Sequence, residues 1–542
     1  MSDWRSVQAL RRLLAQETGV ISKDWGGRIP IALVYPNTYY VGMSALGFQT
    51  LYRLLNARDD LVAERVFWDE KAPGPALSLE SQRPLGEFPF IAFSVTYELD
   101  YFHIPLMLRR AGVPVRADER DEDDPIVLMG GPAVTANPLP LAPIADAIYI
   151  GEVEPSLEPL TAALQSRVER TRAETLQALS RIPGFYVPAY PRLPVARQWL
   201  RDVDAFPTHS AVLTRRTEFG DMFLIEIARG CGRGCRFCLA GYVYRPMRER
   251  SLDALVAQAR AGLAYRNKIG LVSAAVSDYS RRDELVARLR EMGAKISVSS
   301  LRADSLSPAL LQALAASGTR TLTFAPEAGS ERLRRVINKN ISEEQILAAA
   351  TLAGQARFPE LKLYFMFGLP GETEHDIDEL CRLTGAIARA FGGRVTVNLS
   401  PFVPKAHTPF ARAPMLPAPD LERRLAAVRA RLRTAGIPVK ADSVAWARVQ
   451  GVLARGGAEL ADVLARMEAV SLPAWRAALA ARGLSEDEYL EPVPPSRRLP
   501  WEGVVASGVS DAYLAQEQRA AEQARTSPAC PPSGCTRCGV CA

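Results

Sequence analysis

Between residues 213 and 440, short apolar runs alternate six times with longer helical patterns, and this repeat restricts the fold more than any other feature. The runs are MFLIEIA, GLVSAAV, ISVSSL, TLTFAPE, LKLYFMFGLP and RVTVNLSPF. Apolar strands separated by helices form parallel sheets that are covered on both faces. Six units fall short of the eight in a closed (βα)8 barrel. We therefore predict an open, partial (βα)6 barrel with its site at the carboxyl ends of the strands.

A second alternation of short apolar runs and helices lies between residues 31 and about 165. It predicts an N-terminal doubly wound parallel sheet, so the whole chain belongs to the α/β class. Ligands bind such sheets at the carboxyl ends of the strands. Here these ends are residues 37–42, 97–101, 130–138 and 151–154.

Proline-rich connections and shifts in composition divide the chain into six segments. We expect a leader helix over 1–25, the doubly wound domain over 26–170, a linker over 171–212, the partial barrel over 213–440, a helical region over 441–525 and a cysteine-rich tail over 526–542.

Composition excludes several classes of protein. With 48% hydrophobic residues, the 542-residue chain is neither disordered nor fibrous. The 66 Lys and Arg exceed the 60 Asp and Glu only slightly, which does not favour nucleic acid as a partner. No segment approaches the roughly 20 apolar residues that span a bilayer, and the N-terminal helix pattern lacks the apolar core of a signal peptide. We expect a cytoplasmic protein.

The 8 cysteines fall into two tight groups, with Cys381 alone, which indicates metal sites and not a disulfide framework. Cys231, Cys235 and Cys238 form a C-x3-C-x2-C loop directly after the first barrel strand. Three thiolates hold three irons of a 4Fe-4S cluster and leave the fourth iron open, whereas a structural zinc needs four ligands. An open iron can bind a substrate.

The second group is a C-x4-C-x2-C-x2-C run in the tail. Its members are Cys530, Cys535, Cys538 and Cys541. Four thiolates suit either an auxiliary 4Fe-4S cluster or a zinc ion, and the ferredoxin-like spacing favours iron.

The cysteine loop ARGCGRGCRFC resembles the signature of the radical S-adenosylmethionine (radical SAM) superfamily. The resemblance implies that the open iron binds S-adenosylmethionine and that an electron from the cluster cleaves it to a 5′-deoxyadenosyl radical. It also implies further contacts with S-adenosylmethionine. These would come from Phe237 beside the adenine, from Ser300 and Arg302 on the third strand, and from Glu327 on the fourth. The family's second-strand Gly-Gly-Glu segment is replaced by Ser277 and Asp278.

The N-terminal sheet resembles a cobalamin-binding domain, and the segments around Trp446, Trp501 and the last cysteines resemble a B12-binding-domain radical SAM subfamily over nearly the full chain. The resemblance implies that cobalamin contacts Asn37, Tyr39, Gly42, Tyr97, Gly130, Gly131, Gly151 and Glu152. The loop 37–42 contains no Asp-x-His, so it offers no histidine to cobalt. The alternative is a sheet without cofactor.

The resemblance implies a radical methylation of an unactivated carbon, with a reductant such as flavodoxin or ferredoxin as partner. Alternatives are a radical rearrangement, coupling or sulfur insertion, and, from another class, a non-catalytic iron-sulfur or corrinoid-binding regulator. No motif marks the substrate, small or macromolecular, or a catalytic residue. His407 and Arg245 lie beside the predicted mouth and either touch substrate or brace loops.

Overall fold

The computed structural model describes residues 4–72, 74–299, 301–531 and 534–541. A single leader helix, α1 (Trp4–Leu14), precedes the first sheet and ends before the expected residue 25. One sheet follows in the first predicted α/β unit and two parallel sheets in the second, and a mostly helical region comes last.

The first sheet belongs to the N-terminal domain. Its strands are β1 (Ile29–Tyr35), β2 (Leu61–Phe67), β3 (Phe90–Ser94), β4 (Ile126–Gly130), β5 (Ala147–Tyr149) and β6 (Phe185–Tyr186). Its helices are α2 (Tyr39–Ser44), α3 (Leu46–Asn56), α4 (His103–Arg110), α5 (Pro132–Ala136), α6 (Leu157–Gln165) and α7 (Arg172–Ser180).

The strand order β2-β1-β3-β4-β5 is that of flavodoxin-like sheets, and these five strands run parallel. The direction in which successive strands are added to the sheet reverses between β1 and β3. Ligands of such folds bind in the crevice at that switch point. The interior residues of β1 are buried, as the apolar run predicts.

Residues 171–212, which we expected to be a linker, contain structure that belongs to the first sheet. Helix α7 is held at its start by a capping box between Thr171 and Glu174. Strand β6 then pairs antiparallel with β5. The N-terminal domain therefore extends at least to Tyr186, and the linker prediction is corrected there.

The barrel follows β7 (Val195–Ala196). Its strands and the short pieces beside them are β8 (Phe223–Glu226), β9 (Ala228–Arg229), β10 (Arg248–Glu249), β11 (Lys268–Val272), β12 (Lys295–Val298), β13 (Thr321–Glu327), β14 (Glu360–Phe367), β15 (Arg394–Pro401) and β16 (Val439–Ala441). The helices are α8 (Ala240–Val243), α9 (Leu252–Leu263), α10 (Arg282–Glu291), α11 (Pro308–Ala316), α12 (Glu331–Val336), α13 (Glu343–Gln355), α14 (Glu374–Phe391) and α15 (Ala418–Thr434).

The barrel is open, as predicted. Strands β8, β11 and β12 form one parallel sheet and β13 to β16 another, and a parallel bridge from Leu301 to Phe324 joins them into one arc. Strands β8 and β16 form the two edges of this arc. All six predicted strands are present, and β16 adds a short seventh strand.

The C-terminal region is helical, as expected. It contains α16 (Val444–Arg455), α17 (Leu460–Arg466), α18 (Leu472–Ala480), α19 (Glu486–Leu490), β17 (Val505–Ala506) and α20 (Asp511–Glu522). Strand β17 pairs with β7, which ties this region to the connection between the domains. In the part of the chain that the structure describes, no helix has the length and apolar character needed to cross a bilayer.

Candidate iron-sulfur and cofactor site

The cysteine loop leaves the first barrel strand at its carboxyl end, where the sequence places it. Gly230 opens the loop with φ +85°, and a Cβ there would lie 2.3 Å from the Tyr244 carbonyl oxygen. Only glycine fits this left-handed and crowded position. The Cys238 N–H then donates to the Cys235 carbonyl, which curls the loop so that its three thiols lie near one another.

The loop thiols are suited to metal binding, and burial favours the protonated form of two of them. Burial, with the charges of Cys235 and Cys231, raises the pKa of Cys238 to about 12. Burial also raises the pKa of Cys231. Metal therefore displaces protons when it binds. Within the described ranges, no three His, Cys, Asp or Glu side chains are close enough together to hold a single ion. A 4Fe-4S cluster is larger than one ion, and three thiolates are the right donors for it.

A network of buried charges surrounds the cysteine loop. The Arg233 guanidinium holds the Asp278 carboxylate with two bonds, at 2.7 Å from Nε and 2.5 Å from Nη2. Its Nη1 also lies 3.3 Å from Asp304. Arg302 pairs with the same Asp304 at 3.0 Å. Arg233 thus fixes the loop to the carboxyl ends of the second and third barrel strands.

Lys339 completes this network, and the sequence pattern did not mark it. Its Nζ lies 3.1 Å from Glu327 Oε1, and Glu327 adopts φ +67°, which non-glycine residues rarely do. Although burial opposes it, the charges of Glu327 and Cys235 raise the pKa of Lys339. An ammonium group therefore stays charged beside the cysteine loop.

The residues that the resemblance assigns to S-adenosylmethionine gather around this network. Ser277 is buried, and its hydroxyl is bonded to Ser305 at 2.8 Å. Phe237 packs against an apolar cluster that includes Met366 and Phe402, at the ends of β14 and β15. Asp278, Arg302 and Glu327 are engaged in the ion pairs above. Ser300 lies outside the described residues.

An open cavity of about 510 Å³ lies where the carboxyl edges of the two domains face each other. From the N-terminal domain it is lined by residues that follow β1 and β3, among them Asn37, Tyr97, Asp100 and His103. From the barrel side it is lined by Ser400, Pro401, Val403, Asp442, Trp446 and Gln450. The cavity therefore lies at the switch point of the first sheet, where the fold rule places a ligand.

Burial and paired charges set the electrostatics of this cavity. Burial raises the pKa of Asp100 to about 7, although the Asn37 amide donates to its carboxyl at 2.7 Å. The neighbouring Glu98 is buried too, yet the Lys405 ammonium at 2.7 Å and the Gln450 amide at 2.9 Å hold its pKa low. Glu98 therefore fastens the first sheet to the barrel mouth.

His103 also reaches the cavity. Its Nδ1 lies 2.7 Å from the Pro36 carbonyl oxygen, and its ring stacks on Trp68 with centroids 5.0 Å apart. Because a carbonyl only accepts, Nδ1 carries the hydrogen and Nε2 is left as an acceptor. Burial lowers the pKa of His103, so the ring is neutral at pH 7.

Only two of the predicted cobalamin contacts, Asn37 and Tyr97, line this cavity. The Tyr39 hydroxyl donates to Glu17 at 2.5 Å. A Cβ at Gly42 would lie 2.5 Å from the Phe67 ring. These two residues are engaged in packing within the N-terminal domain.

The glycines after β4 and β5 are required by the protein's own backbone. A Cβ at Gly131 would lie 2.4 Å from the Val95 carbonyl oxygen, and one at Gly151 would lie 2.1 Å from that of Gln198. Both have positive φ. At Gly130 the nearest atom is 3.9 Å away, which leaves room for a side chain. Cofactor contact at these glycines remains a prediction, whereas the first two have a packing role in any case.

Glu152 makes ion pairs across the domain boundary. It accepts from Arg248 at 2.7 Å and from Arg229 at 2.9 Å, and Arg229 also reaches Glu154 at 2.9 Å. All four side chains are nearly buried. The segment expected to receive a nucleotide tail therefore joins the first sheet to the barrel.

His407 and Arg245 brace loops. His407 Nε2 lies 3.0 Å from the Ala136 carbonyl, and the Arg245 side chain donates to the Gly241 carbonyl at 2.6 Å. Burial lowers the pKa of His407 to about 4. The imidazole is therefore neutral in the folded protein near neutral pH.

The depressed pKa of His407 predicts a loss of stability in acid. An unfolded histidine with a pKa of about 6.5 takes up a proton that the folded one refuses until about pH 4, so stability falls as pH drops through this window. Between pH 7 and pH 5 we expect His407 to lower the free energy of unfolding by roughly 2 kcal/mol. His407→Asn, which tolerates the φ of +58°, should lose less stability over this range in urea unfolding. An equal loss in both proteins would contradict the assignment.

Two family matches and one long sequence match indicate the family of this chain. Residues 47–188 match the family described as "Radical SAM proteins, N-terminal", and residues 225–384 match the "Radical SAM superfamily". "Uncharacterized protein MJ0966" of Methanocaldococcus jannaschii is 32% identical over 443 residues, which are 80% of this chain and 90% of that protein.

Other similarities are partial. The "Ribosomal protein uS12 methylthiotransferase RimO" of Salinispora tropica is 29% identical, but over 41% of this chain and about half (48%) of its own length. Among solved structures, the radical S-adenosylmethionine methyltransferase TsrM from Kitasatospora setae, with cobalamin and a [4Fe-4S] cluster bound, is 14% identical. Its TM-score is 0.48, and the match covers 72% of this chain and 80% of that one.

The cysteine loop at the mouth of an open barrel, the two family matches and the long archaeal relative agree. A 4Fe-4S cluster and S-adenosylmethionine follow from the superfamily match, and the three thiols of the cysteine loop are suitable donors for such a cluster. The chain belongs to the radical SAM superfamily.

Proposed function

We propose that this radical SAM enzyme methylates an unactivated carbon and that its N-terminal domain presents cobalamin to the barrel. The observation that carries the proposal is the cavity at the switch point of the first sheet, which opens toward the carboxyl ends of β15 and β16. Methyl transfer to a substrate radical needs both cofactors at one substrate. A cavity between the two carboxyl edges meets that requirement.

The cavity and the cysteine loop share one segment of chain. Pro401 and Val403 line the cavity, while Phe402 between them packs in the same apolar cluster as Phe237 of the cysteine loop. Residues 401–403 therefore contact both the cavity and the apolar cluster beside the cysteine loop. This closeness supports a single reaction centre.

The residues present are compatible with a corrinoid at this place. Tyr97 and Trp446 give broad apolar surfaces, and Asn37 with Asp442 gives polar groups, the usual mixture of a cofactor site. The volume of this open cavity, about 510 Å³, is smaller than a whole corrinoid, so only part of the cofactor would lie inside it.

When bound, the cluster supplies one electron to the sulfonium of S-adenosylmethionine, and cobalamin supplies a methyl group. The chain's own residues hold and orient these partners. Arg233 and Asp278 fix the cysteine loop to the second strand, and the Lys339 ammonium offers a charged donor beside it for a carboxylate. Asp100, with a pKa of about 7, can hold a proton at the cavity wall.

A second candidate is methylthiolation. It is suggested by the names of two partial relatives, RimO and a "tRNA-2-methylthio-N(6)-dimethylallyladenosine synthase". A tail cluster on four cysteines leaves no open iron to carry the sulfur that would be inserted. Methylation is therefore the preferred reaction.

The test is anaerobic incubation of reconstituted protein, with cobalamin and deuteromethyl-labelled S-adenosylmethionine, in cell extract under reductant. We expect a product that has gained one labelled methyl group and no sulfur. A product with added sulfur supports methylthiolation, and one unchanged in composition supports rearrangement. S-adenosylmethionine left intact would support a regulator and overturn the enzyme proposal.

We expect bound cob(II)alamin to show an electron paramagnetic resonance spectrum without splitting from a protein nitrogen. Loop 37–42 contains no histidine, and the His103 ring is fixed at Nδ1 by the Pro36 carbonyl and stacked on Trp68, so only its Nε2 is left to compete for cobalt. His103→Ala should leave the spectrum unchanged. Splitting that disappears in this variant would instead assign His103 Nε2 to cobalt. Failure to take up corrinoid at micromolar concentration would remove the methyl carrier and favour rearrangement.

A further inference from the structure

We propose that the four tail cysteines hold a [4Fe-4S] cluster that passes single electrons to the cluster of the cysteine loop. The inference goes beyond the proposed methylation and does not depend on cobalamin. It starts from the place where the tail docks.

The tail packs directly on the cysteine loop. The Cys530 N–H donates to the Gly232 carbonyl at 2.7 Å, and Gly232 follows the first loop cysteine, Cys231. A Cβ at Gly232 would lie 3.5 Å from the Cys530 Cβ. The two cysteine groups, about 300 residues apart in the sequence, are therefore neighbours in space.

Further bonds hold the chain before Cys530 in this place. Ser527 donates its N–H to Asn338 Oδ1 at 2.8 Å, and the Asn338 amide donates to the Gly234 carbonyl of the loop at 3.1 Å. Arg236, fully buried between two loop cysteines, pairs with Glu517 on α20 at 3.0 Å. A buried and bonded contact of this kind fixes the distance between the two groups.

The tail has a complete set of donors with the spacing of an iron-sulfur site. Residues 535–541 form the C-x2-C-x2-C run of bacterial ferredoxins, and Cys530 supplies the fourth thiolate. Cys530 has Cys535 and Cys538 as close neighbours. Cys538 is buried, whereas Cys541 is exposed. The group thus reaches from solvent, where a protein donor can approach, to the cysteine loop.

The relay step is a pure electron transfer. A low-potential one-electron donor of the flavodoxin or ferredoxin class reduces the tail cluster and is itself oxidised by one electron. The tail cluster then returns to its oxidised state as the loop cluster is reduced. No bond forms or breaks and no proton moves until the loop cluster cleaves S-adenosylmethionine.

The test compares wild type with the double variant Cys535→Ser, Cys538→Ser, and with Cys381→Ser as a matched control on α14. We expect about eight irons per chain in wild type and in the control, and about four in the double variant. The loop signal in electron paramagnetic resonance should persist in the double variant, without the broadening that a second reduced cluster causes. This signal also shows that the variant is folded.

The electron route is then measured as 5′-deoxyadenosine formed with either reduced flavodoxin or dithionite. In the double variant we expect the flavodoxin-driven rate to fall about tenfold or more and the dithionite-driven rate to fall much less, because dithionite is small enough to reach the loop cluster directly. Asn338→Gly keeps every cysteine and the positive φ but removes the two hydrogen bonds by which the Asn338 side chain links Ser527 to Gly234 of the loop. It should keep its iron and show a lower flavodoxin-driven rate.

Zinc without iron in the tail would overturn the proposal, and so would a flavodoxin-driven rate that the double variant leaves unchanged. Neither result bears on methylation, which is scored by the product. Conversely, failure to methylate leaves the iron count and the two cleavage rates as valid tests of the relay.

Discussion

Replacing Cys231, Cys235 and Cys238 together with alanine is expected to reduce cleavage of S-adenosylmethionine to background. The three thiolates are the loop's ligand set, and without them no iron is left to bind the sulfonium compound. The buried charged side chains around the loop do not restore cluster binding, because none of them replaces a thiolate as an iron ligand. The assay is 5′-deoxyadenosine by chromatography with dithionite as the reductant.

The control for this experiment is Cys381→Ala, which removes a thiol from α14 and leaves both cysteine groups intact. It should cleave at the wild-type rate. Losing Cys538 alone should leave some cleavage, because the loop keeps its three ligands. Normal cleavage by the triple variant would contradict the assignment of the cluster to this loop.

Glu152→Ala is expected to destabilise the protein by about 3 kcal/mol, because it leaves buried Arg248 without its carboxylate, while Arg229 keeps Glu154 and Glu226. The carboxylate also accepts the Leu200 N–H at 2.9 Å, and this bond is lost too. Urea unfolding, followed by tryptophan fluorescence, measures the difference from wild type.

The matched control is Glu158→Ala on the same domain. Its side chain is 79% exposed and pairs with Arg58 at the surface, so its loss should cost less than about 1 kcal/mol. If Glu152→Ala cost no more than this control, the ion pairs across the domain boundary would not hold the two domains together.

The strands and the cysteine loop could be predicted because their signals are local. A buried strand such as β1 is a continuous apolar run, and a cysteine cluster is visible in the letters themselves. Strands β6 and β16 have two and three residues, which are too few to show a period. Whether such short segments form strands depends on the neighbouring strands with which they pair. The linker prediction was wrong for this reason. The prolines near residue 185 indicate a connection between domains, whereas the residues there form β6 at the edge of the first sheet.

The site was predictable only where residues follow a strand end directly. Asn37 and Tyr97 follow β1 and β3, and both line the switch-point cavity. Lys339 lies after α12 and meets Glu327 through the fold, so no spacing in the sequence marks it. The ion pairs of Glu152 were not predictable either, and its contact with a cofactor stays a prediction. Its glycine-containing segment is typical of a ligand loop, whereas its partners lie 77 and 96 residues away.

The ion pairs at the carboxyl edge of the first sheet bear on how this protein can be divided or recombined. Glu98, Glu152 and Glu154 are buried, and each has its cationic partner on the barrel side. An isolated N-terminal domain would expose this acidic edge to water, and a barrel transplanted onto another doubly wound domain would bury lysine and arginine without counter-charges. The two domains therefore have to be exchanged together, and a working chimera has to carry both faces of the boundary.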